Sequence, residues 1–243
     1  MDRTVLWAKL NRTEFAAAIA DRAVVVVPVG AMEQHAEHLP VDTDSTIGFE
    51  LARHAALHVA DFPVLVLPPL WTGYSPHHMG HHGSITLRFE TLFHVLGEVA
   101  VSIAHHGFEN ILFLNAHGGN KPMVSGLRHE MRARHGIEVF GVNYWEIPGA
   151  AAAMKADLPA DGGRLGHSGE METSLQLWLD PDRVDRARAR WVPGATGDAS
   201  AGSREKGERL FAALVAALAD FLGTIRDGGL RRGFEDRPDI GRP

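Results

Sequence analysis

AVVVVPV, residues 23–29, is a short run of β-branched residues that is apolar at every position. A strand with this pattern has both faces buried, which happens where helices cover a parallel sheet on both sides. Similar runs recur at residues 63–68 (PVLVLP), 110–115 (NILFLN) and 137–142 (IEVFGV). Between them, residues 45–59, 89–106 and 121–135 carry apolar side chains at helical spacing. This alternation predicts an α/β layered domain with a mostly parallel sheet. Two further helices are expected, over residues 170–179 and, with Leu210, Leu214, Leu218, Phe221, Leu222 and Ile225 on one face, over residues 204–225. Residues 70–88 are rich in Gly, His, Ser and Pro, and are expected to form a functional loop ending in a strand-like piece at residues 84–88. Residues 149–169 read as a mobile excursion, and residues 227–243 as a tail ordered by docking onto a neighbouring subunit.

With 243 residues, 45% of them hydrophobic, the chain suits one domain spanning residues 1–243. A net charge of −6 with no basic stripe speaks against a nucleic-acid partner. The apolar runs are too short to cross a membrane, and no secretory pattern opens the chain, so a cytoplasmic protein is expected. Cysteine is absent, which removes thiolate metal sites and a Cys nucleophile. Histidine, by contrast, occurs 15 times against 2 Tyr. His54, His58, His94, His105, His106, His129 and His135 fall within helical stretches and read as surface residues.

The remaining histidines gather with carboxylates just beyond strand ends, where open α/β sheets place their ligands. Residues 29–44, VGAMEQHAEHLPVDTD, put Glu33 and His35 two apart, hence on one side of an extended segment, and Asp44 at the start of a helix. Asp44 is equally suited to capping that helix. Residues 115–120, NAHGGN, place His117 at the mouth of a strand, with Asn120 as a helix cap. Residues 166–173, GHSGEMET, bring His167 before a helix whose first turn carries Glu170 and Glu172, both favoured there by the helix dipole. Mixed oxygen and nitrogen donors without sulfur suit Zn, Mn or Fe(II). There is no H-E-x-x-H, G-x-S-x-G, phosphate-binding P-loop or G-x-G-x-x-G motif.

Four stretches, residues 27–44 (VPVGAMEQHAEHLPVDTD), 73–87 (GYSPHHMGHHGSITL), 110–120 (NILFLNAHGGN) and 166–177 (GHSGEMETSLQL), resemble the creatininase (creatinine amidohydrolase) family in order and spacing. The resemblance implies a single-domain, Rossmann-like parallel sheet flanked by helices, with two divalent metal ions (Zn, Mn or Fe) and hydrolysis of a C–N bond in a small molecule. By position, Glu33, Asp44 and His117 would hold one ion, and His35 and a bridging Asp44 the other. His167 matches the histidine that handles the reaction's proton, Glu172 a carboxylate beside the pocket, and Ser75, His77 and His78 a loop lining it. Tyr74 and Trp145 are further candidates for substrate contact, by stacking on a flat ring, or else core aromatics. Family members are commonly hexamers, so a homo-oligomer is expected.

One departure stands out. Creatininase completes its second site with a Glu where this chain has Gly119, and has a Tyr where this chain has Gly118. Glu170 is expected to supply the missing carboxylate, and creatinine is a poor candidate substrate. A lactonase, a small-peptide peptidase and a non-catalytic metabolite-binding protein remain as alternative readings.

Overall fold

The computed structural model describes residues 4–163 and 165–230. Strands β1 (Val24–Val29), β2 (Val64–Val66), β3 (Asn110–Asn115) and β4 (Phe140–Asn143) form one sheet in the order β2-β1-β3-β4, and every pairing is parallel. The expected α/β fold with a parallel sheet is what the chain adopts. Successive residues of β1 point to opposite faces, so Val24 and Val26 join one core while Val25, Val27 and Val29 join the other. All six residues of β1 are buried, which is why the run contains no polar position.

Seven α-helices occur among the described residues: α1 (Arg12–Ala20), α2 (Thr43–His58), α3 (Phe89–His105), α4 (Lys121–His135), α5 (Ala150–Asp157), α6 (Glu170–Leu179) and α7 (Arg204–Arg226). α2, α5, α6 and α7 cover the face carrying Val24 and Val26; α1, α3 and α4 cover the other. Leu210, Leu214, Leu218, Leu222 and Ile225 of α7 are all buried. Burying each such side chain stabilises the fold by roughly 1.5–3 kcal/mol. α6 and α7 come so close that a Cβ on Gly207 would stand 1.9 Å from the Ser174 carbonyl oxygen. Only glycine fits there.

The structure departs from expectation at four places. α1 lies where no element was expected; its capping box joins Asn11 and Glu14, but only Ala18 is buried, so its apolar pattern is faint. Residues 84–88 form no strand: Ile85 and Thr86 make single bridges to Met32 and Gly73. The segment 149–169 contains α5 rather than a plain excursion. The fourth strand begins later than expected, at Phe140. Residues 231–243, most of the tail assigned to docking, lie outside the described residues. Among the described residues no helix is long and apolar enough to cross a membrane.

The chain leaves β1 for α2 on one face and leaves β2 for α3 on the other. The winding therefore reverses between β1 and β3, and their carboxyl ends open a crevice.

Candidate metal centre

The segments leaving β1 and β3 meet in that crevice. Ala116 donates its N–H to the Val29 carbonyl at 2.9 Å, so the two segments stay paired one step beyond the sheet. Asn115 grips the next turn: its Oδ1 accepts from His117 N at 3.1 Å and its Nδ2 donates to His117 O at 2.7 Å. Asn120 does not cap α4 with its side chain. It donates from Nδ2 to Gly30 O at 2.9 Å and accepts from Tyr74 N at 2.9 Å, joining three loops. Asp44 sits in the first turn of α2, behind the N-cap Asp42, and is buried. Its carboxylate is therefore free for the crevice rather than spent on capping.

Two imidazoles meet this carboxylate from opposite sides. His35 Nε2 lies 3.3 Å from Asp44 Oδ1 and 3.6 Å from Glu172 Oε2. His117 Nδ1 lies 3.2 Å from Asp44 Oδ2 and 3.2 Å from Glu33 Oε1. Each ring is held from behind by a backbone carbonyl: His35 Nδ1 faces Glu33 O at 3.1 Å, and His117 Nε2 faces Tyr74 O at 3.1 Å. A carbonyl only accepts, so the outer nitrogen of each ring carries hydrogen and the inner nitrogen of the neutral ring presents a lone pair. That lone pair points at carboxylate oxygens. Glu33 Oε2, His35 Nε2 and Asp44 Oδ2 are buried without a hydrogen-bond partner. Acceptors facing acceptors in a buried site call for cations between them, and this second-sphere arrangement is the one metal-ligating histidines use. The donor set fits divalent metal.

The electrostatics agree. Burial works to raise the pKa of Asp44, but His35 and His117 outweigh it and hold the carboxyl well below the usual range. Burial likewise opposes charge on the rings, yet Asp44 and Glu172 raise His35 well above its ordinary value, and hydrogen bonds to Asp44 and Glu33 push His117 up to about 10. Without a metal ion, protons fill the two lone pairs. His78 and His167 behave in the opposite way: burial lowers both, His78 to about 4, and the neighbouring His35 adds to the lowering of His167.

The centre opens into a cavity of about 300 Å³ lined by Glu33, Asp44, His77, His78, His117, His167 and Glu172, among others. His167 Nδ1 stands 3.4 Å from Glu33 Oε1. Ser75 Oγ lies 3.2 Å from His117 Nε2, behind the ring rather than in the cavity. Glu170 is not brought to this cluster. Its carboxylate accepts from Ala160 N and Asp161 N and pairs with Lys206, and Glu172, one half-turn further along α6, faces His35 instead. The Tyr74 ring packs edge-on against Phe89, and Trp145 packs against Tyr144 and the core, so neither lines the cavity.

Gln34, Gly194 and Thr196 went unread in the sequence. Gln34 contacts both His78 and His167. Thr196 Oγ1 accepts from His167 N at 2.8 Å, and Thr196 N donates to His167 O at 3.0 Å. Gln34 stood between two candidate ligands and was the one with a detectable signal; Gly194 and Thr196 arrive from a distant loop with none.

The family model described as "Creatinine amidohydrolase" matches residues 8–222. The chain is 29% identical to the creatinine amidohydrolase of Pseudomonas putida, over 91% of this chain and 97% of that one. It is 30% identical to the mycofactocin precursor peptide peptidase of Mycolicibacterium smegmatis, over 81% and 83%. Among solved structures it resembles a manganese creatininase (TM-score 0.78, 25% identity, 96% of this chain and 100% of that one). It resembles a mutant creatininase of Zn-Zn type equally well (TM-score 0.78, 26% identity, 96% and 100%). The chain belongs to the creatininase family, whose members are hydrolases acting on amide bonds.

Proposed function

We propose that the chain is a binuclear metal-dependent amidohydrolase that cleaves an amide, cyclic amide or formamide C–N bond in a small molecule. The observation that carries this reading is Asp44, which turns Oδ1 to the inner nitrogen of His35 and Oδ2 to that of His117. Glu33, Asp44 and His117 would hold one ion, and His35, Asp44 and Glu172 the other, with Glu172 in the part first expected of Glu170.

Two Zn, Mn or Fe(II) ions bound there would lower the pKa of a water molecule towards neutrality and polarise a scissile carbonyl. His167 handles the proton. Its Nε2 lies 2.8 Å from the Gln34 carbonyl, which fixes the hydrogen on that side and leaves Nδ1 to take a proton from water and hand it to the departing nitrogen. Burial keeps the ring neutral, as an initial base requires. A cavity of about 300 Å³ is at the small end of ligand sites and favours a small substrate. Gly118 and Gly119 leave out the Tyr and Glu that the resemblance associates with creatinine, so the substrate is taken to be a different C–N compound. A small-peptide substrate is the second reading, favoured by the 30% identity to a peptide peptidase. A homo-oligomer is also proposed, supported by four large apolar side chains, Trp71, Met79, Ile85 and Phe89, that are each exposed within residues 71–89.

Elemental analysis of the purified protein tests the reading. Close to two Zn, Mn or Fe per chain, together with release of an amine from a panel of cyclic amides, formamides and short peptides, is the expected result. No stoichiometric metal after supplementation would leave a metabolite-binding protein in its place.

A further inference from the structure

The side chain of Gln34 is buried between His78, His167 and the loop carrying Gly194. Its orientation is fixed twice over. Ala36 N donates to Oε1 at 2.9 Å, so that atom must be the oxygen. Nε2 faces the Gly194 carbonyl at 3.1 Å, so that atom must be the nitrogen. An amide NH₂ has two hydrogens. One goes to Gly194 O, and the other to His78 Nδ1 at 2.9 Å. His78 Nδ1 therefore accepts, and the hydrogen of the neutral ring sits on Nε2, the nitrogen turned towards the cavity and Glu33.

His167 is held by its opposite edge. Its Nε2 donates to Gln34 O at 2.8 Å, and its 3.0 Å approach to Gln34 Nε2 is a contact between two donors, not a hydrogen bond. The lone pair on Nδ1 is what faces the cavity. Two imidazoles stacked at 4.4 Å thus carry hydrogen on the same atom, Nε2, but present opposite ends to a ligand.

We propose that Gln34 is a positioning residue that sorts this pair, making His78 a fixed hydrogen-bond donor to an oxygen of the substrate and leaving His167 as the acceptor. The proposal rests on the hydrolase reading for the word substrate, and on the hydrogen-bond inventory alone for the sorting. It narrows the ligand: the group beside His78 must be an acceptor, a carbonyl or carboxylate oxygen, because an N–H there would meet another donor. The main chain of residue 34 sets His167, and its side chain sets His78. The two can therefore be separated experimentally.

Long-range proton–nitrogen correlation spectra of the histidine rings, on the purified protein at pH 7.5 with and without added zinc, provide the test. In the wild type both His78 and His167 should show a protonated Nε2 and a lone-pair Nδ1. Gln34→Glu replaces the NH₂ by an acceptor, so His78 should move its hydrogen to Nδ1 or take a second one, while His167 keeps its pattern. A wild-type His78 protonated on Nδ1 overturns the proposal without any variant. So does a His78 signal unchanged in Gln34→Glu, or one that changes only together with His167, as general loosening would produce. The ring spectra are read without turnover, so absence of metal or of hydrolysis would count against the proposed function and leave this result standing.

Discussion

Lys206 pairs with the Glu170 carboxylate, and also donates to Ala201 O at 2.8 Å. Glu170 in turn accepts from the main chain at Ala160 and Asp161. This carboxylate ties α7 to the loop ahead of α6, and has no oxygen left for an ion. Glu170→Gln should leave metal content unchanged and lower stability by about 1–3 kcal/mol, the scale for losing a charge-assisted hydrogen bond in a buried setting. Elemental analysis and urea unfolding read the two effects separately, and loss of one ion per chain would return Glu170 to the metal site.

Asp44 is the one carboxylate shared by both halves of the centre, and Glu172 touches only one. Asp44→Asn should therefore cost occupancy at both positions, Glu172→Gln at one. Titration with zinc, followed by calorimetry, distinguishes them; equal stoichiometry in the two variants would mean that Asp44 does not bridge.

His167 stands in the cavity with its main chain anchored on Thr196, so truncating the ring should not move the loop. His167→Ala is expected to retain its metal and to lose about 10²–10⁴-fold in turnover, the usual range for a general acid–base group. Undiminished turnover would take His167 out of the chemistry.

His117 gives the metal-free protein a pH dependence. Its folded pKa, about 10, lies above the ordinary value of 6.5, so the stability it contributes is complete below about pH 6.5 and is lost as the pH rises through 10. Thermal unfolding of chelator-treated protein should show the melting point falling across this window, and His117→Gln should flatten the fall. Bound metal replaces the proton, so the loaded protein should keep a level profile over the same range. A level profile in the metal-free wild type would refute the assignment.

The sequence disclosed most of what is repetitive and little of what depends on helix phase. Strands β1 and β3 were legible because burial on both faces permits no polar residue along them. α4 and α6 were legible to the residue, from their apolar spacing and flanking glycines. The convergence of Glu33, His35, Asp44 and His117 was legible because all four follow the ends of two neighbouring strands. Glu170 was expected at the metal and Glu172 beside the pocket, whereas it is Glu172 that faces His35. Two residues apart on a helix they point to nearly opposite sides, and which side meets His35 depends on where Lys206 lies, 36 residues further on. α1 was missed because a helix that buries one alanine has almost no amphipathic pattern to read.

The reversal of winding between β1 and β3 divides the cavity into a floor and a roof of different origin. Glu33, Asp44 and His117, the floor, leave the two central strands directly or begin the helix that follows one. The roof is assembled from elsewhere: His77 and His78 before α3, Leu165 and His167 before α6, Gly194 and Thr196 before α7. Floor residues are bound to the sheet and cannot shift without disturbing it. Roof residues ride on surface connections, which tolerate insertion and replacement. A lineage can thus refit its roof for another ligand over an unaltered floor, and proteins 29–30% identical to this chain include both a creatinine amidohydrolase and a peptide peptidase.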